Sequence, residues 1–133
     1  MRGTLIGLAG LVSALLPTSG FAQEYKVASA FSGSEVRLYV MSNVNNDCTS
    51  GPRPEVRLVT QPVNGTARLE EKPMPLNRVA SDPNARCNGK NVDAVVLFYT
   101  SNPGYTGLEK LVIETDFYHT GNVRRFEAVV DVR

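Results

Sequence analysis

From Gln23 onward the chain is built of short runs in which polar and apolar side chains alternate, each closed by Gly, Pro, Asn or Asp. A period of two puts every second side chain on one face, the pattern of a half-buried strand. Glu35-Val36-Arg37-Leu38-Tyr39-Val40 and Glu55-Val56-Arg57-Leu58-Val59-Thr60 carry it, the first until its last residue. Val63, then Asn64-Gly65, then Thr66-Ala67-Arg68-Leu69 reads as a tight hairpin, because Asn-Gly suits its turn. Ala94 to Tyr99 is continuously apolar, which suits a central strand covered on both faces. Lys110 to Tyr118 and Asn122 to Val132 flank His119-Thr120-Gly121, a predicted hairpin tip, and Tyr25 to Phe31 opens the series. No stretch of ten or more residues shows helical spacing free of internal Pro or Gly. The prolines fall between these runs, as a ladder needing every N–H requires.

About seven strands in a domain over residues 23–133 predict an all-β fold, an Ig-like antiparallel β-sandwich. Its expected core is Val36, Leu38, Val56, Leu58, Val95, Leu97, Leu111, Ile113, Phe126, Ala128 and Val130. The segment Glu70 to Gly89 breaks the pattern with Pro73, Pro75 and Pro83 and offers only Leu76 and Val79 as apolar anchors. It is expected to be a long irregular connection, with a short strand at most at its centre.

Composition changes this picture mainly at the N-terminus. Arg2 precedes an uncharged stretch from Leu5 to Leu16, Pro17 follows, and Gly20-Phe21-Ala22 places small residues three and one before Gln23. Residues 1–22 therefore read as a secretory signal peptide cleaved after Ala22. As a helix, Leu5 to Leu16 would span only about 18 Å, too short for a bilayer core of roughly 30 Å. No Cys follows the cleavage site, so a lipid anchor is not indicated. The expected destination is secreted or periplasmic, without stable membrane insertion after cleavage. Loss of Arg2 leaves as many basic as acidic residues from the 14 and 13 of the whole chain. Such a domain has no net field with which to hold nucleic acid.

Export also decides how Cys48 and Cys87 are read. In an oxidising compartment the two thiols of a small domain pair, and both lie among turn residues, so a disulfide stapling two loops is expected. A zinc site on these thiols with His119 would lack the short paired spacing that such sites show.

One stretch resembles a known family. Tyr99-Thr100-Ser101-Asn102-Pro103-Gly104-Tyr105-Thr106-Gly107-Leu108-Glu109 is similar to a signature of bacterial Ig-like or cadherin-like tandem-repeat domains. There a tyrosine-threonine-proline and a short loop precede glycine-tyrosine-x-glycine-x-aspartate. Pro62-Val63-Asn64-Gly65-Thr66-Ala67 resembles the proline-x-x-glycine-threonine hairpin of the same domains. The resemblance implies a sandwich in which Tyr105 packs across a corner and Gly107 admits the close start of a strand. Ser101 stands for the family's proline, Glu109 for its aspartate, Leu111 for its phenylalanine and Ile113 for its tyrosine. The acidic residue usual before the last glycine is replaced by Tyr118 and His119, so a calcium role does not carry over. Only one copy is present, with no internal repeat.

The remaining chemistry is sparse. No nucleophile elbow, Walker loop or dinucleotide-binding glycine pattern occurs. Glu114 and Asp116 share a strand face, as paired carboxylates of glycoside hydrolysis would. A tip at Thr120-Gly121, however, sets Asp116 opposite Arg125 as a cross-strand ion pair and Glu114 opposite Glu127. The expected function is therefore an exported, non-enzymatic module that binds a protein or envelope component and needs no cofactor. The alternative is a small hydrolase or metal-dependent protein using Glu109, Glu114, Asp116 and His119. Partner-binding candidates are Arg78, Asp82 and Asn84 in the Glu70–Asn88 insertion, and Arg124 and Arg125 beside Phe117, Tyr118 and Phe126. The competing docking surface is the last strand, Ala128 to Arg133, if it forms an open edge.

Overall fold

The computed structural model of the protein describes residues 24–133. The signal peptide expected over residues 1–22 lies outside them. Seven strands form: β1 (Glu24–Ala30), β2 (Glu35–Ser42), β3 (Glu55–Thr60), β4 (Gly65–Pro75), β5 (Asn91–Ser101), β6 (Gly107–Asp116) and β7 (Val123–Val132). They make a four-stranded sheet, β1-β7-β6-β3, facing a three-stranded one, β2-β5-β4. The expected sandwich is thus the observed fold. Strands 2, 5 and 4 against 3, 6 and 7 is the Ig arrangement, with the first strand moved to the side of the last. That move makes one pair parallel, since β1 runs beside β7 with Val27 aligned on Val129.

Alternation fills the space between the sheets. Leu38, Met41, Leu97, Tyr99, Leu111, Ile113, Phe126, Ala128, Val130 and Val132 are buried there, with Val36, Val56 and Leu58 half-buried against them. Removal of that apolar surface from water is the main favourable term of the fold. β5 is the central strand of its sheet, and of the apolar run Ala94 to Tyr99 all but Phe98 are buried; Phe98 is half-buried, with Arg68 lying over its ring. A smaller cluster of Leu76, Cys87 and Val92 sits beside the main core, with Val44 and Cys48 packed on it. Cys48 and Cys87 form the expected disulfide, Cα atoms 5.2 Å apart.

Four details of the sequence reading are corrected. First, Asn64-Gly65 is not a hairpin turn, because β3 and β4 belong to different sheets. Neither residue has a positive φ. Gly65 is required for space, since a Cβ there would lie 2.7 Å from the Tyr99 ring and closer still to the Thr100 carbonyl. Asn64 instead gives its backbone N–H and its Nδ2 to the buried Glu109 carboxylate, at 3.2 and 3.1 Å.

Second, the irregular segment begins later than Glu70. β4 continues to Pro75, paired with β5 down to Asn91, so Pro73 and Pro75 lie inside a strand. β4 is an edge strand, and the Leu76 N–H points inward to Lys90 O at 2.8 Å. Alternation then turns the nitrogens of Pro73 and Pro75 outward, where no donor is needed.

Third, β7 is hydrogen-bonded on both sides, so the chain's last strand offers no open edge. Fourth, the β6–β7 register differs by two residues from the expected one. Glu114 pairs with Arg125, Asp116 with Val123, and Glu127 with Val112. The loop is longer than expected because Asp116 is spent on it, as described below. The like-charge pair therefore never forms; Glu127 lies 3.1 Å from Lys110 instead.

Two measurements check this packing. The disulfide closes 39 residues, worth about 4 kcal/mol in the chain-entropy account. Urea unfolding of the reduced protein is expected to fall short of the oxidised protein by about that amount. Thr115 is fully buried with an unpartnered hydroxyl. Thr115→Val, which removes that hydroxyl at nearly constant shape, is expected to raise stability by about 1 kcal/mol in the same assay.

Candidate functional site

Three loops meet at the end of the sandwich where β7 starts. They are the β2–β3 loop with Cys48, the β4–β5 loop with Cys87, and the β6–β7 loop. Asn43 binds two of the approaching chains at once, its Nδ2 donating to Pro52 O and to Phe117 O. In the β4–β5 loop, Asp82 caps a short 3-10 turn, Pro83–Cys87, by accepting the Asn84 N–H at 2.8 Å. Asn88 holds the start of that loop through both the N–H and the carbonyl of Arg78. Arg86 donates to Asn46 O and to Cys48 Sγ, adding a polar tie across the disulfide.

The β6–β7 loop is organised by one carboxylate. Asp116 Oδ1 accepts from the backbone of Tyr118 and Thr120 at 3.2 and 3.1 Å, and Oδ2 from Gly121 at 2.6 Å. Gathering those donors bends the chain through positive φ at His119 and Gly121. It also displaces the turn from the short hairpin that alternation alone suggests. Partial burial works against the charged form, but the N–H groups of Gly121, Thr120, Tyr118 and His119 outweigh it and hold the Asp116 carboxyl below its ordinary 3.8.

Between the loops lies a cleft of about 280 Å³ lined by Ser42, Asn43, Arg78, Asp82, Asn84, Asp116, Phe117, Tyr118, Thr120, Asn122 and Arg124. It gathers Arg78, Asp82, Asn84 and Arg124 of the five sequence candidates. Arg125 is elsewhere, on the outer sheet face, 3.0 Å from Glu114, which also pairs with Arg57. Those guanidiniums, Arg125 before Arg57, hold the Glu114 carboxyl below its ordinary 4.5. Arg124 lies 5.8 Å from the centres of both the Phe117 and Phe126 rings, and those rings meet edge to face at 6.1 Å. The arginine–aromatic grouping expected beside Tyr118 therefore forms with Arg124 and not with Arg125.

The four residues of the hydrolase or metal alternative are scattered. Glu109 is buried at the opposite end against Asn64. Glu114 belongs to the outer face and Asp116 to the loop. His119 is exposed, with Nε2 2.8 Å from Arg53 O and Nδ1 3.8 Å from Glu55. Among the described residues no group of three or more His, Cys, Asp or Glu side chains is placed to hold a metal ion.

The corner that resembles the cadherin-like signature is also at the far end. Tyr105 donates its hydroxyl to Leu108 O at 2.8 Å, and a Cβ on Gly107, whose φ is +132°, would come within 3.0 Å of that hydroxyl. Burial, and then the Glu109 carboxylate nearby, push the Tyr99 phenol up to about 12.

No protein-family model matches the chain, and no curated protein matches it. Among solved structures, the solution structure of amebosin aligns with 84% of this chain and 96% of its own length, at 13% identity and a TM-score of 0.46. Sequence reasoning missed Ser42, Asn43 and Asn122 as cleft residues. Asn43 carried a readable signal, an amide directly after an apolar strand end, but nothing local says which chains it joins.

The pH response follows from the depressed carboxylates. Groups whose folded pKa lies below the unfolded value stabilise fully above that unfolded value and lose the contribution as pH falls through the folded one. With Asp116 below 3.8 and Glu114 below 4.5, the urea midpoint is expected to be level from pH 7 to about 5 and to fall progressively below about 4. Asp116→Asn should lower the midpoint at pH 7 and shrink the acid-induced fall.

Proposed function

We propose that this protein is an exported Ig-like binding module of the cell envelope or surface, and that it captures its partner in the cleft between the three loops. One observation carries the reading. Residues far apart in sequence, from Asn43 through Arg78 and Asp82 to Arg124, converge on one concave site at the loop end of a rigid sandwich. Loops displayed on a stable sheet scaffold are where such folds place recognition, and the β2–β3 and β6–β7 loops correspond to recognition loops of variable-type Ig domains. The fold supports this by analogy alone, and the cleft supplies the specific content. The disulfide supports export, because such bonds persist in oxidising compartments. The cadherin-like resemblance supports a surface role through its signature corner. The cleft's mixture of Arg, Asp, Asn and aromatic groups fits recognition of a polar partner rather than of a hydrophobic one.

The loop that can be probed by deletion is shorter than the sequence suggested. Removing residues 71–84 would cut into β4 and take away buried Leu76, so a failure of that variant would report folding and not binding. Photo-crosslinking is the better test. A photoreactive side chain at Tyr118, which is 67% exposed at the cleft, should yield one discrete adduct in intact cells. The same group at Leu108, equally exposed at the other end, should yield none. Adducts from Leu108 alone, or from neither position, would overturn the assignment.

A further inference from the structure

The chemistry of the cleft is uneven in a way that points to its ligand. Arg78 is half-buried there, and its Nη2 donates to Ser42 O at 2.9 Å. Its Nε is buried with no hydrogen-bond partner. Among the described residues no ion pair engages it, although Asp82 and Asp116 line the same cleft. Both of those acids are held by backbone N–H groups, Asp82 by Asn84 and Asp116 by three donors of its own loop. A guanidinium drawn out of water without a counter-ion and with a donor unfilled is costly, and native structures rarely retain one without use.

From this we infer that the cleft binds a carboxylate presented by a peptide segment, with Arg78 as its principal contact. The inference rests on the binding reading above and names the chemistry of the ligand. A carboxylate accepts two parallel N–H bonds from a guanidinium fork. Nε of Arg78 is enclosed, and among the described residues the rest of the guanidinium makes one hydrogen bond, from Nη2 to Ser42 O, which leaves Nη1 for the ligand. A doubly charged phosphate fits less well, because Asp82 and Asp116 would repel a dianion more than a monoanion. An acidic sugar fits less well too. Its hydroxyls want carboxylate acceptors, and Asp116 already accepts three backbone N–H groups, which leaves mainly Asp82 to serve them. Asn84 and Asn122 can exchange hydrogen bonds with a peptide group on either side of the bound side chain. Phe117 and Tyr118 offer ring surface for the residue beside it.

The test uses the purified disulfide-bonded protein and amide shifts in a nuclear magnetic resonance titration. The probes are the capped tripeptides acetyl-Phe-Glu-Gly-amide and acetyl-Phe-Gln-Gly-amide, galacturonate and inorganic phosphate. The glutamate peptide should give saturable shifts at Arg78, Asn84 and Thr120, with affinity at least about tenfold above the glutamine peptide. Galacturonate and phosphate should bind more weakly than the glutamate peptide. Arg78→Gln should abolish the difference between the two peptides. Arg78→Lys, which keeps the charge and loses the fork, should retain a part of it, and Arg86→Gln should leave it intact. Equal binding of both peptides, no binding of either, or preference for galacturonate or phosphate would each overturn the inference. Full discrimination surviving in Arg78→Gln would do so as well. A persisting Tyr118 adduct alongside any of these would leave the cleft as a capture site for a different ligand, whereas loss of that adduct would remove the capture site itself.

Discussion

The covalent tie between Cys48 and Cys87 is what makes a site possible at this end of the sandwich. Between Leu76 and Lys90 the chain has little of its own to fold around: one short 3-10 turn and, apart from Leu76 and Cys87, no buried apolar side chain. Ordering a loop of that length costs backbone entropy that its few contacts would not offset. The disulfide removes much of the cost by restricting the unfolded chain, and Cys87 buries completely against Leu76 and Val92 while doing so. Arg78, Asp82 and Asn84 are then held at fixed positions by Asn88 and by the turn, instead of moving with a free loop. A positioned guanidinium binds with less loss of freedom than a mobile one, which is the basis of preorganisation.

The other wall of the cleft depends on a different economy. Asp116 could have paired across to Arg125, as the alternation of β6 and β7 suggests. Its carboxylate instead satisfies successive N–H groups of the loop, and the pairing slides until Glu114 meets Arg125. Both acids finish with partners, so nothing is sacrificed by the slide. Phe117 is thereby brought over Phe126, and Arg124 over both, so that an inward-facing arginine closes the core and borders the cleft at once.

Much of this was legible in the sequence because strands announce themselves by alternation. The seven runs, the central position of β5, the disulfide and most of the core followed from local pattern and from the expectation of export. What escaped was whatever depends on the partner of a local signal. Asn64-Gly65 has the composition of a tight turn, yet its glycine serves the Tyr99 ring and its asparagine serves Glu109, both distant in sequence. Pro73 and Pro75 look like strand breakers until β4 is known to be an edge. The register of β6 and β7 was misjudged by two residues because side-chain capping outcompeted the shortest turn. Arg78, Asp82, Asn84 and Arg124 were visible as polar residues in loops, but their convergence is tertiary information that no window of sequence contains.

The way the sheet edges are finished bears on the proposed placement of recognition at the loops. An open edge invites another strand, so each edge needs a device against it. β4 has Pro73 and Pro75 with their nitrogens turned outward. β3 and β2 shift register within their pairing, between Leu58 and Thr60 and between Arg37 and Tyr39, which twists them away from a straight added strand. β1 carries Lys26 on its inward side, where the ammonium crosses to Leu38 O at 2.7 Å and lies over the Tyr39 ring. Strand addition at β1 would have to work against a charge anchored beneath the strand. The outer face between the edges is occupied by ion pairs, Arg57 and Arg125 on Glu114 and Lys110 on Glu127, already matched among themselves. Each edge thus carries a feature that opposes strand addition, and the half-buried Arg78 lies instead between the loops. Under the proposed reading, a sandwich finished in this way leaves association to one end, where the disulfide ties two of the loops and Asp116 holds the third.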